Sequence, residues 1–180
     1  NEKEMSIMTK DEILTKAREF CQKHGIDSYP VNIVELCVQQ GISVFEKYLP
    51  KDVSGFIVIQ DENFKDYKCN KLIVVNLLDP ASRRRFTIAH ELAHYILHKK
   101  SDDSLFAHRD AGQNGGIETE ANIFASNILM PRDVVESAIS EVGSWWQNAL
   151  LDSDKIDYIA EKFAVSNAAA KVCLEQLNQI

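Results

Sequence analysis

Apolar side chains recur at helical spacing in the first quarter of the chain. Thr9 and Glu12 have the spacing of a capping box, and the apolar face that follows them ends at Gly25. A second apolar stretch begins at Val31 and ends before Gly41. Glycine is common just beyond the last helical residue, because it adopts a positive φ without steric cost. These patterns predict two helices at the start of the chain.

The periodicity then changes to short runs of β-branched and aromatic residues. Three such runs, over 42–45, 55–59 and 72–75, are separated by polar segments rich in turn-forming residues. Each run has the length of a buried strand. Three strands that follow two helices predict the α+β class, with a small three-stranded sheet packed on helices.

The middle of the chain combines a long helix with a long polar stretch. Asp79 offers a capping side chain and Pro80 suits the first helical position, so we expect a helix from there to about Lys99. Residues 100–116 are polar and rich in Gly, Asp and Ser, which predicts a long loop. Loops of that length in compact domains often carry function.

The last third of the chain has a helical pattern. A helix is expected over 117–130, ended by Pro131, and further helices follow. We therefore divide the chain into a core, 1–131, and a helical C-terminal extension, 132–180, packed on that core. Residues 152–180 resemble a helix-turn-helix, but they carry five acidic residues against three lysines. That charge argues against DNA binding by this segment.

Composition and charge restrict the class of partner and the compartment. The 180 residues carry a net charge of −7, which disfavours direct contacts with nucleic acid phosphates. Apolar runs are far shorter than a membrane span, and the start of the chain lacks the pattern of a signal peptide. The four cysteines form no CxxC pair. These features predict a cytoplasmic protein with reduced cysteines and no membrane partner.

The segment His-Glu-Leu-Ala-His at 90–94 is the strongest chemical signal. At about 3.6 residues per turn, His90 and His94 project from the same helix face and can bind one metal ion. Glu91 lies about 100° around the helix, where its carboxylate can accept a proton from a water molecule activated by the metal. These ligand types favour zinc, although manganese or iron could occupy such a site.

A catalytic zinc site needs a third protein ligand. Glu118 and Glu120 open the next helix, but they point in nearly opposite directions, so only one can face the metal. We favour Glu118, with Glu120 as the alternative, because Glu118 shares a face with Asn122, whose amide could hydrogen-bond a ligating imidazole. His98 is too far along its helix to be a third ligand, and we expect it to support a ligand from behind or to be structural.

Hydrolysis of a peptide bond also needs a donor that stabilises the developing oxyanion. The sequence leaves several candidates open for this role. They are Tyr95, His98, His108 and Arg109.

Two separated motifs resemble the signature of the ImmA/IrrE-type metallopeptidases. One is the stretch 85–98, and the other runs from Glu118 to Pro131. With the upstream helices and strands, the resemblance covers about residues 9 to 131. It implies a gluzincin-like, zincin-type core in which His90, His94 and the first glutamate of the second motif hold Zn²⁺, and it implies that Glu91 is the general base.

The resemblance also implies a substrate. Characterised relatives cleave a helix-turn-helix transcriptional repressor at one site, which relieves repression of mobile-element or stress genes. We therefore expect a zinc endopeptidase whose partner is a protein of that class. The alternative is a metal-stabilised binding module, of a toxin–antitoxin-like or mobile-element regulatory pair, that sequesters its partner without cleaving it.

Overall fold

The computed structural model describes residues 8–99, 106–109, 115–148 and 151–180, with the backbone alone for 106–109. These residues form eight helices and four strands in the order α1 (Lys10–Lys23), α2 (Ile33–Gln39), β1 (Ser43–Lys47), β2 (Gly55–Ile59), β3 (Lys71–Asn76), α3 (Ala81–His98), β4 (Phe106–Arg109), α4 (Gly115–Leu129), α5 (Arg132–Val142), α6 (Ser144–Asn148), α7 (Asp152–Phe163) and α8 (Asn167–Gln176). In the part of the chain so described, every helix is too short or too polar to cross a membrane.

The first helix begins at the predicted capping box. The Thr9 hydroxyl accepts a hydrogen bond from the backbone N–H of Glu12, and the Glu12 carboxylate accepts one from the backbone N–H of Thr9 at 2.7 Å. The hydrogen bond from the Thr9 backbone lowers the pKa of Glu12. Gly25 follows the last turn with φ of 59°, as a C-terminal glycine should. The capping box predicted from the sequence is confirmed.

The sheet has the strand order β1-β3-β2-β4 and is mixed. Strand β1 pairs with β3 in parallel, whereas β2 is antiparallel to both β3 and β4. The three predicted strands are present, but the sheet has four strands and not the predicted three, and the assignment of 100–116 to a loop is wrong in part. Residues 106–109 form β4, and α4 begins at Gly115. The polar composition of this segment gave no sequence signal for a strand. Strand β4 lies at the edge of the sheet and pairs through its backbone, so it does not require a run of apolar side chains.

Helix α3 begins one residue later than the sequence predicted. Pro80 has φ of −55° and ψ of 150°, so it is the capping residue and not the first helical residue. No side chain caps this end; the Asp79 carboxylate lies 3.5 Å from the Arg83 guanidinium instead. The helix ends at His98, so its predicted extent is otherwise confirmed.

Helix α3 lies between the sheet and α4, and Gly55 sets its approach to the sheet. The helix packs on β2 and β3 on one side and along α4 on the other, while α4 also packs on α1. A Cβ atom at Gly55 would lie 2.5 Å from the Thr87 Cγ2 and 2.7 Å from the Val74 carbonyl oxygen. Only glycine fits at this point of β2, because both neighbours belong to packed elements.

Replacing Gly55 by alanine is expected to lower the free energy of unfolding by about 1–3 kcal/mol, the usual cost of an overpacked core. Urea denaturation followed by circular dichroism measures this change. Gly115→Ala is the matched control, since a Cβ there meets nothing within 4 Å. Equal stability of the two variants would mean that β2 can move away from α3 without cost.

Buried side chains form two clusters. One cluster is formed by the helices α1, α2, α3 and α4 together with the sheet, and the other is formed by residues between Met130 and Leu177. Tyr29 and Val165 pack against both clusters. Arg85 joins the same regions, because its guanidinium donates to the carbonyl oxygens of Val31 and Ala164 at 3.0 and 3.1 Å. This gives Arg85 a structural role, while the domain boundary at 131 stays a prediction.

The C-terminal helices follow the predicted pattern. Helices α7 and α8 pack against each other across a short turn, with Ser166 as the N-cap of α8. Of the two adjacent tryptophans, Trp146 is buried and donates to the Gln179 side chain, whereas Trp145 is 45% exposed. Trp146 is therefore a core anchor of this region.

Candidate metal centre

His90 and His94 lie one turn apart on α3 and face the same point. Their Nε2 atoms are 3.0 Å apart, and their ring centroids are separated by 4.7 Å. Helical geometry alone produces this pairing, because side chains at positions i and i+4 share a face. The side chain of His94 is fully buried, whereas the side chain of His90 is 12% exposed.

Helix α4 brings a carboxylate to the two imidazoles. The Oε2 atom of Glu118 is 3.1 Å from His90 Nε2, and its Oε1 atom is 3.5 Å from His94 Nε2. One ligand atom from each residue lies within 4.8 Å of the others, so the three residues could hold one metal ion. Two imidazoles and one carboxylate are a donor set of catalytic zinc sites, which leave a further position for water.

The second ring nitrogen of His90 contacts the same helix. Its Nδ1 atom is 2.9 Å from the Asn122 side-chain oxygen, one turn beyond Glu118 on α4. Glu118 and Asn122 therefore meet opposite edges of a single imidazole. In the neutral tautomer that carries its proton on Nδ1, His90 donates to this amide oxygen and leaves Nε2 unprotonated, which is the form in which an imidazole binds a metal ion.

Glu91 is 2% exposed and follows His90 directly on α3. Its side chain is therefore held in the protein interior. The exposed side of the cluster is formed by Glu118, whose side chain is 25% exposed, and by His90.

Glu120, the alternative ligand, belongs to a different network. Its Oε2 atom is 3.0 Å from His98 Nε2, and its Oε1 atom accepts a hydrogen bond of 2.6 Å from the backbone N–H of Met8. His98 Nδ1 is in turn 3.0 Å from His94 Nδ1. The structure thus separates the two glutamates: Glu118 meets the imidazole edges that face a metal, and Glu120 lies behind His98.

The remaining candidates occupy several places. The Tyr95 hydroxyl accepts a hydrogen bond of 3.0 Å from Lys71 Nζ, which also donates to the Gln40 carbonyl. Tyr95 is thereby directed toward the start of β3. His108 and Arg109 lie in β4, and their side chains are outside the described part of the chain. An oxyanion role for these residues stays a prediction.

All four cysteines are free thiols. Burial raises the pKa of Cys37 to about 12 and that of Cys21 to about 11, which keeps both protonated and unreactive near neutral pH. Cys37 and Cys21 therefore act as small apolar residues at these positions.

Comparison with known proteins shows which family the chain belongs to. The model of the IrrE N-terminal-like domain, Peptidase M78, matches residues 37–175, and this range includes α3, α4 and the cluster between them. The chain belongs to this family. Membership supports a metallopeptidase of the ImmA/IrrE type and implies a divalent metal ion. The resemblance seen in the sequence motifs is therefore confirmed.

Two relatives of the family are similar over much of their length. Uncharacterized immunity region protein 2 of Bacillus phage phi105 is 29% identical over 116 residues, which cover 59% of this chain and 73% of that protein. Metallopeptidase ImmA of Bacillus subtilis is 23% identical over 135 residues, which cover 75% of this chain and 73% of ImmA.

A solved structure supports the fold. A Mycobacterium tuberculosis transcriptional regulator matches with a TM-score of 0.56 at 18% identity, over 89% of this chain. The match covers 45% of that regulator, so this chain spans less than half of it. At this identity the match concerns the fold alone, which is α+β. The gluzincin-like core implied by the sequence motifs stays a prediction.

Proposed function

We propose that the chain is a zinc-dependent endopeptidase whose metal is held by His90, His94 and Glu118. The observation that carries this proposal is the convergence of the three ligand atoms within 4.8 Å. When both imidazoles carry their protons on Nδ1, the two Nε2 atoms and the carboxylate present only acceptor atoms to one another, and a cation relieves their repulsion. A bound zinc ion would supply Lewis acidity for hydrolysis of a peptide bond.

The residues around the ligands have separate roles in this proposal. Glu91 is the general base, which accepts the proton of the attacking water and later passes it to the leaving amine. Its burial, one residue after His90 on α3, supports this role, because a carboxylate in a low-dielectric setting interacts strongly with nearby charge. Asn122 orients His90 through the 2.9 Å contact with Nδ1.

The substrate in this proposal is a helix-turn-helix repressor in the cytoplasm, cleaved at one site. The name of Metallopeptidase ImmA supports peptide cleavage, and the repressor class is what the resemblance of the two sequence motifs to the ImmA/IrrE-type metallopeptidases implies. The net charge of −7 favours a protein substrate over direct binding to nucleic acid.

Mapping of new protein N-termini tests this function. Cytosol of the cell from which the chain comes is treated with zinc-loaded wild-type protein or with the Glu91→Gln variant. One dominant new terminus in a helix-turn-helix protein, formed only by the wild type, is the expected result. Many unrelated termini would contradict the single-substrate proposal. Identical termini in both samples would contradict peptide cleavage and favour the binding module.

A further inference from the structure

The back of the candidate metal centre contains a buried chain of hydrogen bonds that the proposed catalytic roles do not use. It runs from His94 Nδ1 to His98 Nδ1, from His98 Nε2 to Glu120 Oε2, and from Glu120 Oε1 to the Met8 backbone N–H. The three residues of this hydrogen-bond network are nearly inaccessible to solvent: His94 is 0% exposed, His98 is 7% exposed and Glu120 is 3% exposed. Buried polar groups of this kind are costly unless each one has a partner.

With Glu120 ionised and His98 neutral, the donor and acceptor of each hydrogen bond in this network follow from its outer end. The Met8 N–H can only donate, so it occupies one Glu120 oxygen as an acceptor. An ionised Glu120 must also accept at its other oxygen, and His98 therefore carries its proton on Nε2. A neutral His98 then presents an unprotonated Nδ1, which accepts the proton of His94 Nδ1.

These hydrogen bonds determine whether His94 Nε2, the atom that would bind the metal ion, carries a proton. A neutral imidazole with its proton on Nδ1 has a lone pair on Nε2. In His94 this Nε2 is the atom that lies 3.5 Å from the Glu118 carboxylate. The reverse direction of the chain would place a proton on His94 Nε2 and block it as a ligand.

We propose that Glu120 is a positioning residue that acts through His98 to hold His94 in the tautomer and ring orientation required for metal binding. This inference rests on the metal centre proposed above. It gives the second glutamate of α4 a role that differs from that of Glu118. It also connects the backbone just before α1 to the metal centre through Met8.

The ring nitrogens of the metal-free wild-type protein provide the first test. Long-range ¹H–¹⁵N correlation spectra in mildly alkaline buffer distinguish protonated from unprotonated ring nitrogens. We expect His94 to be protonated on Nδ1 and His98 on Nε2. A proton on Nε2 of His94 in the wild type would overturn the proposal. This measurement needs no variant, so it does not depend on the folding of one.

Zinc affinity in two variants of His98 provides the second test. The glutamine side chain in His98→Gln can accept from His94 through its oxygen and donate to Glu120 through its amide, so this variant should keep zinc affinity within a few-fold of wild type. His98→Leu removes both contacts and should weaken zinc binding by about 10- to 100-fold, as loss of an outer hydrogen-bonding partner does. Equal affinities for the two variants would overturn the proposal.

Glu120→Gln provides an independent variant, and His24→Gln is the control. A glutamine side chain in place of Glu120 cannot accept from both His98 and Met8 through separate oxygens, so zinc affinity should fall within the same range of about 10- to 100-fold. His24 contacts Gln39 and Gln40 away from the centre, and its replacement should leave zinc affinity unchanged. Competition with a chromophoric chelator measures affinity, and circular dichroism of the metal-free variants checks their fold.

These readouts separate the inference from the proposed function. Tautomers and zinc affinities are measured without a peptide substrate. If the wild type binds zinc and cleaves a substrate while Glu120→Gln and His98→Leu bind zinc as tightly as the wild type, the positioning role fails alone. If the variants lose affinity as expected but the wild type cleaves no protein, the peptidase proposal fails alone.

Discussion

Replacing Glu91 by glutamine is expected to lower the rate of peptide cleavage by about 10²- to 10⁴-fold, the usual contribution of a general acid–base residue. Glutamine has nearly the same volume and can occupy the same buried space, but it cannot accept the proton of the attacking water. Zinc affinity should remain within a few-fold of the wild type, because Glu91 is not among the proposed ligands His90, His94 and Glu118. Single-turnover cleavage of the identified substrate and chelator competition measure the two quantities.

The same substitution distinguishes the two functional hypotheses. In a sequestering binding module, Glu91→Gln would leave both partner binding and the biological effect unchanged. In an endopeptidase, the variant should still bind its partner and trap it uncleaved. Glu136→Gln is a suitable control for the loss of an acidic side chain, since Glu136 is an exposed residue of α5 that pairs with Arg132. A cleavage rate for Glu91→Gln equal to that of this control would exclude Glu91 as the base.

Replacing Glu118 by glutamine is expected to weaken zinc binding by more than about 100-fold. Loss of a residue that only hydrogen-bonds to a metal ligand weakens metal binding by at most about 100-fold. The reason is that the variant removes a negatively charged ligand, whereas His90 and His94 alone supply two neutral nitrogens. Cleavage should disappear at limiting zinc. Zinc titration of the two glutamine variants, Glu118→Gln and Glu120→Gln, gives the comparison directly.

The order of the two affinities decides which glutamate is the ligand. Glu118→Gln should bind zinc more weakly than Glu120→Gln, because Glu118 meets both imidazoles while Glu120 contacts His98 and Met8. The reverse order would make Glu120 the third ligand and would require α4 to rotate about its axis on zinc binding. Both variants should retain the helical circular dichroism signal of the wild type.

Local rules of the chain were sufficient for much of the fold. Hydrogen bonding between Thr9 and Glu12 involves residues three apart, so the capping box could be predicted without any knowledge of packing. The pairing of His90 with His94 is equally local, because the helical repeat places them on one face. Strand β4 could not be predicted in this way, since its pairing partner β2 lies about 50 residues earlier in the chain.

Contacts between helices decided the details of the site. The sequence indicated that only one of Glu118 and Glu120 could face the metal, and the face shared with Asn122 favoured Glu118. The rotation of α4 against α3 brings Glu118 to the two imidazoles, and it places Glu118 and Asn122 at opposite edges of the His90 ring. Tyr95 is directed toward Lys71 by the position of β3 relative to α3, which helical spacing does not specify.

The order of amino acids was enough to identify the chemical groups of the site, namely two imidazoles and a neighbouring carboxylate at fixed helical spacing, together with the family to which the chain belongs. The way in which His98, Glu120 and Met8 combine behind His94 became visible only in the folded chain. The physical reason is distance along the chain. Helical spacing fixes relations over four residues, whereas the contact from Glu120 to Met8 spans 112 residues and depends on how α1, α3 and α4 pack together.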